Sequence, residues 1–265
     1  ASAASAATSS IPGVSTTGSN SLGTAFVAGR NLVPRPAAGT MAVRNALGVL
    51  VGLLMAREPI GQTYSGPVSS PDESLATKDA WRRRLLQQRR DVDEATRTAD
   101  AEALQEAALA WLAEHRYRTV AAYVPVGEEP GSPELLEALR GAGLRVLLPV
   151  VHRREPLQWA DYTGPDSLRR AGFDLLEPAG PRLGAEAVAE AEALLVPALA
   201  VDRRGVRLGR GAGYYDRSLP MAAPGAPLIG VVRDEEFVAE LPGEPHDVRM
   251  TGVLTPRRGV VALPV

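Results

Sequence analysis

Cysteine is absent from the 265-residue chain, and histidine occurs only three times, as His115, His152 and His246. The absence of cysteine excludes disulfides, thiolate nucleophiles and thiolate-bound metals. Three widely separated histidines leave little material for a zinc site or a histidine-based catalytic triad. Chemistry in this chain therefore has to depend on arginine, lysine, carboxylates and the backbone.

A large net charge and a long hydrophobic run are missing as well. The formal net charge is −2, so no global positive field attracts nucleic acid, although a local basic patch is compatible with it. The apolar run Met41–Met55 is interrupted by Arg44, Gly48 and Gly52. It is also shorter than the about 20 residues that a membrane span needs. We therefore expect neither nucleic acid nor a membrane as a partner.

Acidic residues are absent from residues 1–57, which are rich in Ala, Ser, Thr and Gly. Without a periodic apolar face before residue 41, this composition argues against a packed domain. We predict that residues 1–72 form a disordered or non-native leader, with an organelle transit peptide as the alternative. Residues 73–265 are predicted to form a single domain. The expected location is the cytoplasm, or an organelle if the leader is a transit peptide.

The predicted domain begins with two helices. The spacing of apolar residues predicts the first over residues 78–90 and the second over Glu94–Glu114. Lys78 and Arg82 are four positions apart and therefore share a helix face. On spacing alone, this basic face either binds an anion or simply faces water.

From Thr119 the pattern changes to alternating strands and helices. A buried strand at Thr119–Val124, a helix from Ser132–Pro133 to Gly141 and a strand at Leu144–Val150 form a βαβ unit with parallel strands. Ligands of such sheets tend to bind beyond the carboxyl ends of the strands. Glu128 and Glu129 follow the first strand, so they are candidates to meet a ligand, with solvated loop acids as the alternative.

The later part of the domain is read as strands and loops. The whole pattern predicts an α/β fold with a three-layer, open, mostly parallel sheet flanked by helices, and with a hairpin before a glycine-rich loop. The predicted elements are a strand at Leu157–Ala160, mostly loop at 164–181, a strand at Ala193–Val196, a hairpin of Leu199–Asp202 and Val206–Leu208, a strand at Pro227–Val232 and a last strand at Val248–Leu254.

The glycine-rich loop is Arg207–Asp216, followed by a predicted helix at about 213–219. Three glycines at alternate positions let backbone N–H groups approach a bound anion. Arg207 and Arg210 add planar forks that suit phosphate or carboxylate. The loop matches neither a P-loop nor a dinucleotide-binding turn. It indicates a phosphorylated ligand, a flat ring and a metal, unless it is only a solvated connection.

These residues resemble the 5-formyltetrahydrofolate cyclo-ligase family, also called methenyltetrahydrofolate synthetases. The resemblance covers about residues 75–256, and 1–72 have no counterpart. It rests on Val196–Pro197, on 202–205, on the glycine loop with its two tyrosines, on Lys78-x-x-x-Arg82, on the acid after the first strand, on Glu177–Pro178 and on His246–Asp247.

The resemblance implies an ATP-dependent cyclisation of 5-formyltetrahydrofolate to 5,10-methenyltetrahydrofolate, with release of ADP and phosphate. It also implies a fold like that of sugar-phosphate isomerases and coenzyme A transferases. The reaction needs alignment and charge neutralisation by Mg²⁺ and cations rather than a protein nucleophile. ATP and the folate are the expected partners of a protein that we expect to be a monomer.

The family's functional residues are carried over position by position. The resemblance implies that Arg210 is the catalytic residue and that it contacts the transferred phosphate. It implies Glu129 and Tyr214 as folate contacts, with Glu128 as the alternative acid and Trp159 as either a stacking surface or a core residue. Asp216 and Asp247 are the implied magnesium ligands. The implied ATP contacts are Lys78, Arg82, Arg207, Leu208, Gly209, Arg210, Gly211, Ala212, Gly213, Tyr214 and Tyr215.

Two positions depart from the family pattern. Ala212 stands where many members carry lysine, so one phosphate contact is expected to be missing. Thr251 stands where the family often has a second late acid, which leaves Asp247 as the late metal ligand. The residues alone leave two other functions open. One is a sugar-phosphate isomerase or coenzyme A transferase, and the other is a non-catalytic nucleotide- or RNA-binding module that uses the arginines of the loop.

Overall fold

The structure is a computed structural model that describes residues 77–172, 175–245 and 247–264. The leader predicted for residues 1–72 and the predicted motif residue His246 lie outside the described residues. Among the residues that the structure describes, no helix is long and apolar enough to cross a membrane.

Two helices open the described chain, as the sequence predicts. Thr77 and Asp93 precede them, and each side chain accepts a hydrogen bond from a backbone N–H of the first turn. Such caps satisfy donors that a helix start leaves without an intrahelical partner. The α-helices of the described chain are α1 at Lys78–Asp91, α2 at Glu94–Glu114, α3 at Pro133–Gly141 and α4 at Tyr214–Ser218.

Strands alternate with these helices and with short 3₁₀ turns. The strands of the described chain are β1 at Thr119–Ala121, β2 at Arg145–Val150, β3 at Gln158–Asp161, β4 at Leu168–Arg170, β5 at Leu176–Pro178, β6 at Ala193–Pro197, β7 at Ala200–Asp202, β8 at Arg207–Leu208, β9 at Leu228–Val231, β10 at Phe237–Val238, β11 at Gly252–Thr255 and β12 at Gly259–Ala262.

Seven of these strands form one sheet in the order β12–β11–β9–β6–β1–β2–β3. The inner pairs β11–β9, β9–β6, β6–β1 and β1–β2 are parallel, whereas the edge strands β12 and β3 are antiparallel to their neighbours. This confirms the predicted mixed α/β fold with a mostly parallel central sheet flanked by helices.

Alternate residues of the inner strands point into two separate cores. On β2, Val146 and Leu148 pack with α2 and α3, whereas Leu147 packs on the opposite face with Trp159 and the segment around α4. Successive side chains of a strand face opposite sides of a sheet, and both faces of this sheet are buried. The inner strands are therefore almost continuously apolar, which is why the sequence reveals them.

A second, three-stranded sheet supports the glycine-rich loop. Its order is β10–β7–β8, and β7 and β8 form the predicted antiparallel hairpin. Leu85 of α1 packs against this sheet in a third core with Leu199 and Leu208. The hairpin thus fixes where the loop after Leu208 begins, and it brings α1 next to that loop.

The strand prediction misses one ladder and misplaces one boundary. Within 164–181, predicted as mostly loop, β4 and β5 pair as a short two-stranded antiparallel ladder. The strand predicted at Val248–Leu254 begins only at Gly252, and it is followed by β12, which pairs with it as an edge hairpin. The proline- and glycine-rich composition of the first region masks a short ladder, and β12 is a short, partly exposed edge strand with little pattern of its own.

Candidate active site

One pocket of about 780 Å³ lies where the parallel strands β1, β2 and β6 end. Ligand pockets of open α/β sheets form beyond the carboxyl ends of such strands, as the sequence analysis assumes. The segment after β1 contributes Glu129 and the segment after β6 contributes Ala198. Apart from the alternatives Glu128 and Trp159, the positions carried over from the family line this one pocket, namely Lys78, Arg82, Glu129, Asp247 and all residues from Arg207 to Asp216.

The glycines of the loop make room for arginine side chains as well as for backbone. A Cβ atom at Gly209 would lie 2.8 Å from Nη1 of Arg207. At Gly211, where φ is +102°, it would lie 3.4 Å from the guanidinium carbon of Arg82. Arg82 also donates a hydrogen bond from Nε to the carbonyl of Gly209 at 3.0 Å. Glycine therefore lets guanidinium groups lie directly against the loop backbone.

Arg210 reaches across the pocket to Glu129. Its Nε donates to Oε1 of Glu129 at 2.9 Å, and its Nη2 donates to the carbonyl of Val126 at 3.3 Å. The Glu129 side chain is 13% exposed and also accepts from the N–H of Val126 at 3.0 Å. Arg210, the predicted phosphate contact, and Glu129, the predicted folate contact, thus form an ion pair with each other.

Lys78 makes a similar pair at the other side of the pocket. Its Nζ lies 2.9 Å from both carboxylate oxygens of Asp247 and 3.5 Å from Oε2 of Glu244. The side chain of Asp247 is only 9% exposed, and it also accepts from the N–H of Glu244 at 2.7 Å. These contacts fix the orientation of the Asp247 carboxylate and keep the Lys78 ammonium group beside it.

Arg207 is the most buried cation of the pocket, with a side chain that is 4% exposed. Its Nη2 donates to Oδ1 of Asp216 at 2.8 Å, and its Nη1 donates to the carbonyl of Pro197 at 3.3 Å. The guanidinium carbon lies 5.5 Å from the ring centroid of Tyr215, within the range of a cation–π contact. Arg207 thus orients Asp216 and supports Tyr215 from below the pocket surface.

The two tyrosines of the loop have different surroundings. Burial, with a contribution from the negative charge of Glu129, raises the pKa of Tyr215 well above its ordinary value, and the charge of Arg207 opposes this shift. Tyr214 lies at the start of α4, with the guanidinium of Arg217 at 5.1 Å from its ring centroid. The Tyr214 ring lines the pocket and also packs partly against the core beneath α4.

Burial and position bear on two alternatives that the sequence leaves open. Trp159 is 1% exposed and packs in the core on β3, so it is not a stacking surface in this structure. Glu129 lines the pocket and Glu128 does not. Thr251 is also away from the pocket lining, since its hydroxyl accepts a hydrogen bond from the N–H of Leu228 on β9 at 2.9 Å.

Several lining residues escape the sequence analysis. Tyr123 donates from its hydroxyl to the carbonyl of Pro130 at 2.6 Å, and burial raises its pKa. Glu244 precedes Asp247 by three residues. This spacing is typical of a turn and could have indicated that Glu244 lies close to Asp247. The apolar wall comes from separate strands and loops and has no local signal; it consists of Pro149, Val151, Leu157, Leu175 and Leu176.

The carboxylates that the sequence analysis assigns to magnesium do not form a preassembled cluster. No group of three or more His, Asp or Glu side chains able to hold a metal occurs within the described ranges. Asp216 and Asp247 line the same pocket, but each one pairs with a cation, Arg207 and Lys78 respectively. Mg²⁺ commonly takes one or two protein carboxylates and obtains the rest from phosphates and water, so this donor set fits a metal that arrives with a phosphate ligand.

Comparison with known families identifies the family of the chain. The model of the 5-formyltetrahydrofolate cyclo-ligase family matches residues 74–256, which is more than half of the chain. The chain therefore belongs to the 5-formyltetrahydrofolate cyclo-ligase family of enzymes. This membership decides against the isomerase, transferase and non-catalytic readings of the glycine loop.

Individual relatives carry the same name. A 5-formyltetrahydrofolate cyclo-ligase of Mycolicibacterium smegmatis is 55% identical over 197 residues, which are 72% of this chain and 99% of the relative. The enzyme of that name from Escherichia coli K12 is 31% identical over 147 residues, which are 53% of this chain and 79% of the relative. The resemblance found in the sequence is thereby confirmed.

Solved structures show the same fold. The NMR structure of Aquifex aeolicus 5,10-methenyltetrahydrofolate synthetase aligns with a TM-score of 0.59 at 26% identity and covers 71% of this chain and 93% of its own. A 5,10-methenyltetrahydrofolate synthetase from Mycoplasma pneumoniae aligns with a TM-score of 0.55 at 21% identity and covers 66% of this chain and 96% of its own. The second comparison concerns the fold alone.

Proposed function

We propose that the chain catalyses the ATP-dependent cyclisation of 5-formyltetrahydrofolate to 5,10-methenyltetrahydrofolate, with release of ADP and phosphate. The formyl oxygen attacks the γ-phosphorus of ATP, and the bond to the β-phosphate oxygen breaks. N10 of the folate then attacks the activated formyl carbon. The phosphate leaves with the former formyl oxygen, and the proton from N10 is released. The phosphorylated formyl group is the intermediate of this proposal.

The observation that carries the proposal is the convergence of the carried-over residues on one pocket at the end of the parallel strands. These residues come from α1, from the segment after β1, from the glycine loop and from the segment before β11. If the glycine loop were only a solvated connection between two elements, there would be no reason for these separate segments to meet beside it. Membership in the cyclo-ligase family supports the same reaction.

Arg210 is the proposed catalytic residue. Its side chain is 48% exposed, so it is free to turn from Glu129 towards a phosphate that enters the pocket. A guanidinium there neutralises the charge that develops on the transferred phosphoryl group. Lys78, Arg82, the backbone from Arg207 to Gly213 and the Tyr215 hydroxyl are the proposed further contacts of ATP.

Glu129 and Tyr214 are the proposed folate contacts. Once Arg210 has turned to phosphate, the Glu129 carboxylate can accept hydrogen bonds from N–H groups of the folate ring system. The Tyr214 ring and the apolar wall of the pocket offer surface to the flat rings. These contacts align N10 with the formyl carbon, which is the main requirement of an intramolecular ring closure.

Magnesium is the proposed metal of the site. Asp216 and Asp247 would hold it together with phosphate oxygens and water. When bound, Mg²⁺ supplies positive charge that neutralises the phosphates of ATP. Lys78 and Arg207, which now pair with the two carboxylates, supply positive charge to the same region and orient those carboxylates.

We further propose a cytoplasmic monomer that acts on ATP and the folate without nucleic acid or membrane as a partner. The net charge of −2 supports the absence of a nucleic-acid partner. The narrower fold assignment, to the group of sugar-phosphate isomerases and coenzyme A transferases, is also a proposal. Light scattering after gel filtration and cell fractionation test the oligomeric state and the location.

The reaction is tested by mixing the protein with 5-formyltetrahydrofolate, ATP and Mg²⁺ and following the near-ultraviolet absorbance of methenyltetrahydrofolate. We expect product only when all three components are present. Samples that lack ATP or contain a non-hydrolysable ATP analogue are the controls. A folded sample that forms no product at high protein concentration would refute the proposed reaction.

A further inference from the structure

The loop that carries Glu129 is held from outside by side chains that donate to its backbone. Within residues 126–130, three carbonyl groups accept such hydrogen bonds, and the donors are Arg210, Tyr123 and Arg233. Arg210 and Tyr123 line the pocket, whereas Arg233 does not. Nη1 of Arg233 donates to the carbonyl of Glu128 at 3.1 Å. That peptide unit directly precedes Glu129.

Arg233 follows β9 and is only 5% exposed. Its Nε donates to Oδ2 of Asp100 on α2 at 3.1 Å, and its Nη1 lies 4.0 Å from Oε1 of Glu236. Burial raises the pKa of Asp100, and the charge of Arg233 opposes that shift. A buried ion pair is costly to desolvate and is often replaceable by apolar residues without loss of stability. Stability alone therefore gives no strong reason for an arginine at this place.

The same network reaches a second wall of the pocket. Glu236 accepts two hydrogen bonds from Arg89 of α1, at 2.6 Å and 2.8 Å, and a third from the backbone N–H of Arg233 at 2.8 Å. Nη2 of Arg89 also donates to the carbonyl of Ala198 at 2.6 Å. Buried charges thus tie the segments after β1 and β6 to α1 and α2, behind the pocket rather than inside it.

We propose that Arg233 is a positioning residue for Glu129. It fixes the peptide of Glu128 and thereby the direction in which the next side chain enters the pocket. Arg233 touches neither the pocket surface nor a reacting atom, so it acts through the loop. This inference rests on the proposed function, in which Glu129 orients the folate.

The test compares kinetic constants of Arg233→Met, Arg233→Lys and Glu129→Gln in the full chain. Arg233→Met should raise the KM for 5-formyltetrahydrofolate by about tenfold, because the loss of one hydrogen bond from a charged group is of this order. The KM for ATP should change much less. Arg233→Lys keeps the charge beside Asp100 and should retain part of the affinity.

Arg257→Met is the matched control. Arg257 is near Arg233 in the fold, but its guanidinium pairs with Asp234 and Glu235 rather than with the loop, and its side chain is 72% exposed. Its replacement should leave both KM values unchanged. Thermal unfolding of each variant separates a loss of stability from a loss of affinity.

The decisive comparison is the double variant Arg233→Met with Glu129→Gln. If Arg233 acts through Glu129, the double variant binds folate no more weakly than Glu129→Gln alone. Additive losses, or equal losses in both KM values, would overturn the inference while the proposed function stands. If Arg233→Met does not fold, the same comparison with Arg233→Lys decides. Absence of turnover by the unaltered chain overturns the proposed function and this inference with it.

Discussion

At the scale of single residues, the pocket pairs each important cation with a carboxylate. Arg210 pairs with Glu129, Lys78 with Asp247, and Arg207 with Asp216. In the first two pairs, the proposed function assigns the cation to ATP and the carboxylate to another ligand. Binding of ATP then requires these two pairs to exchange partners.

Arg210→Ala should lower kcat on the order of a hundredfold, because one preorganised donor to a developing charge contributes about this much. The melting temperature should change much less than kcat, since the Arg210 side chain is about half exposed and ion pairs at the surface contribute only about 0–1 kcal/mol to stability. Arg140→Ala is the matched control, because Arg140 is also 48% exposed and pairs with a nearby glutamate away from the pocket. Equal losses of activity in both variants would contradict a catalytic role for Arg210.

Asp216→Asn tests the proposed metal ligand. The amide keeps the shape of the side chain but is a weaker ligand for a hard cation, so more Mg²⁺ should be needed for half-maximal activity. Titration calorimetry with Mg²⁺ and ATP should show the same weakening in the absence of folate. Asp166→Asn, in the 3₁₀ turn before β4, is the control. An unchanged Mg²⁺ requirement would remove Asp216 from the metal site.

At the scale of elements, the glycine loop depends on the hairpin before it and on α1 beside it. Sequence periodicity predicts α1, α2 and the buried inner strands, because local spacing and composition report on burial there. It does not predict the β4–β5 ladder or β12, since these short strands gain their pairing from tertiary contacts. The side-chain pairs across the pocket also escape prediction, because Arg210 and Glu129 are 81 residues apart.

Gly211→Ala tests whether the loop has to lie close to arginine. A residue with a side chain is strained at a φ of +102°, and the added Cβ would come into contact with the Arg82 guanidinium at 3.4 Å. We expect a modest loss of stability and a larger loss of affinity for ATP. Gly143→Ala, where φ is +84° and no described atom lies within 4 Å of the added Cβ, is the control for strain alone. A loss of ATP affinity in both variants would speak against a specific role for Gly211.

At the scale of the whole molecule, the reaction is assigned to the part of the chain that the family model matches. A chain that begins at residue 73 should therefore fold and retain the kcat and both KM values of the full chain. Circular dichroism, thermal unfolding and the absorbance assay test this directly. A truncated chain that does not fold would show that the predicted leader belongs to the domain.

About half of the pocket lining could be predicted, whereas the connections within the pocket could not. The glycine loop and the Lys78–Arg82 spacing are local motifs, so the amino-acid sequence alone reveals them. The buried network of Arg89, Arg233 and Glu236 joins segments that are far apart in sequence, and no local pattern marks buried arginines. The choice of Glu129 over Glu128 likewise depends on the turn of one loop.

The central claim is that one pocket couples phosphoryl transfer from ATP to ring closure of the folate. The most direct test measures ADP and methenyltetrahydrofolate in the same sample over time. The account predicts that both form in equal amounts, that neither forms without the other substrate, and that Arg210→Ala slows both to the same extent. ADP formation that continues without 5-formyltetrahydrofolate, or methenyltetrahydrofolate formed without ADP, would contradict it.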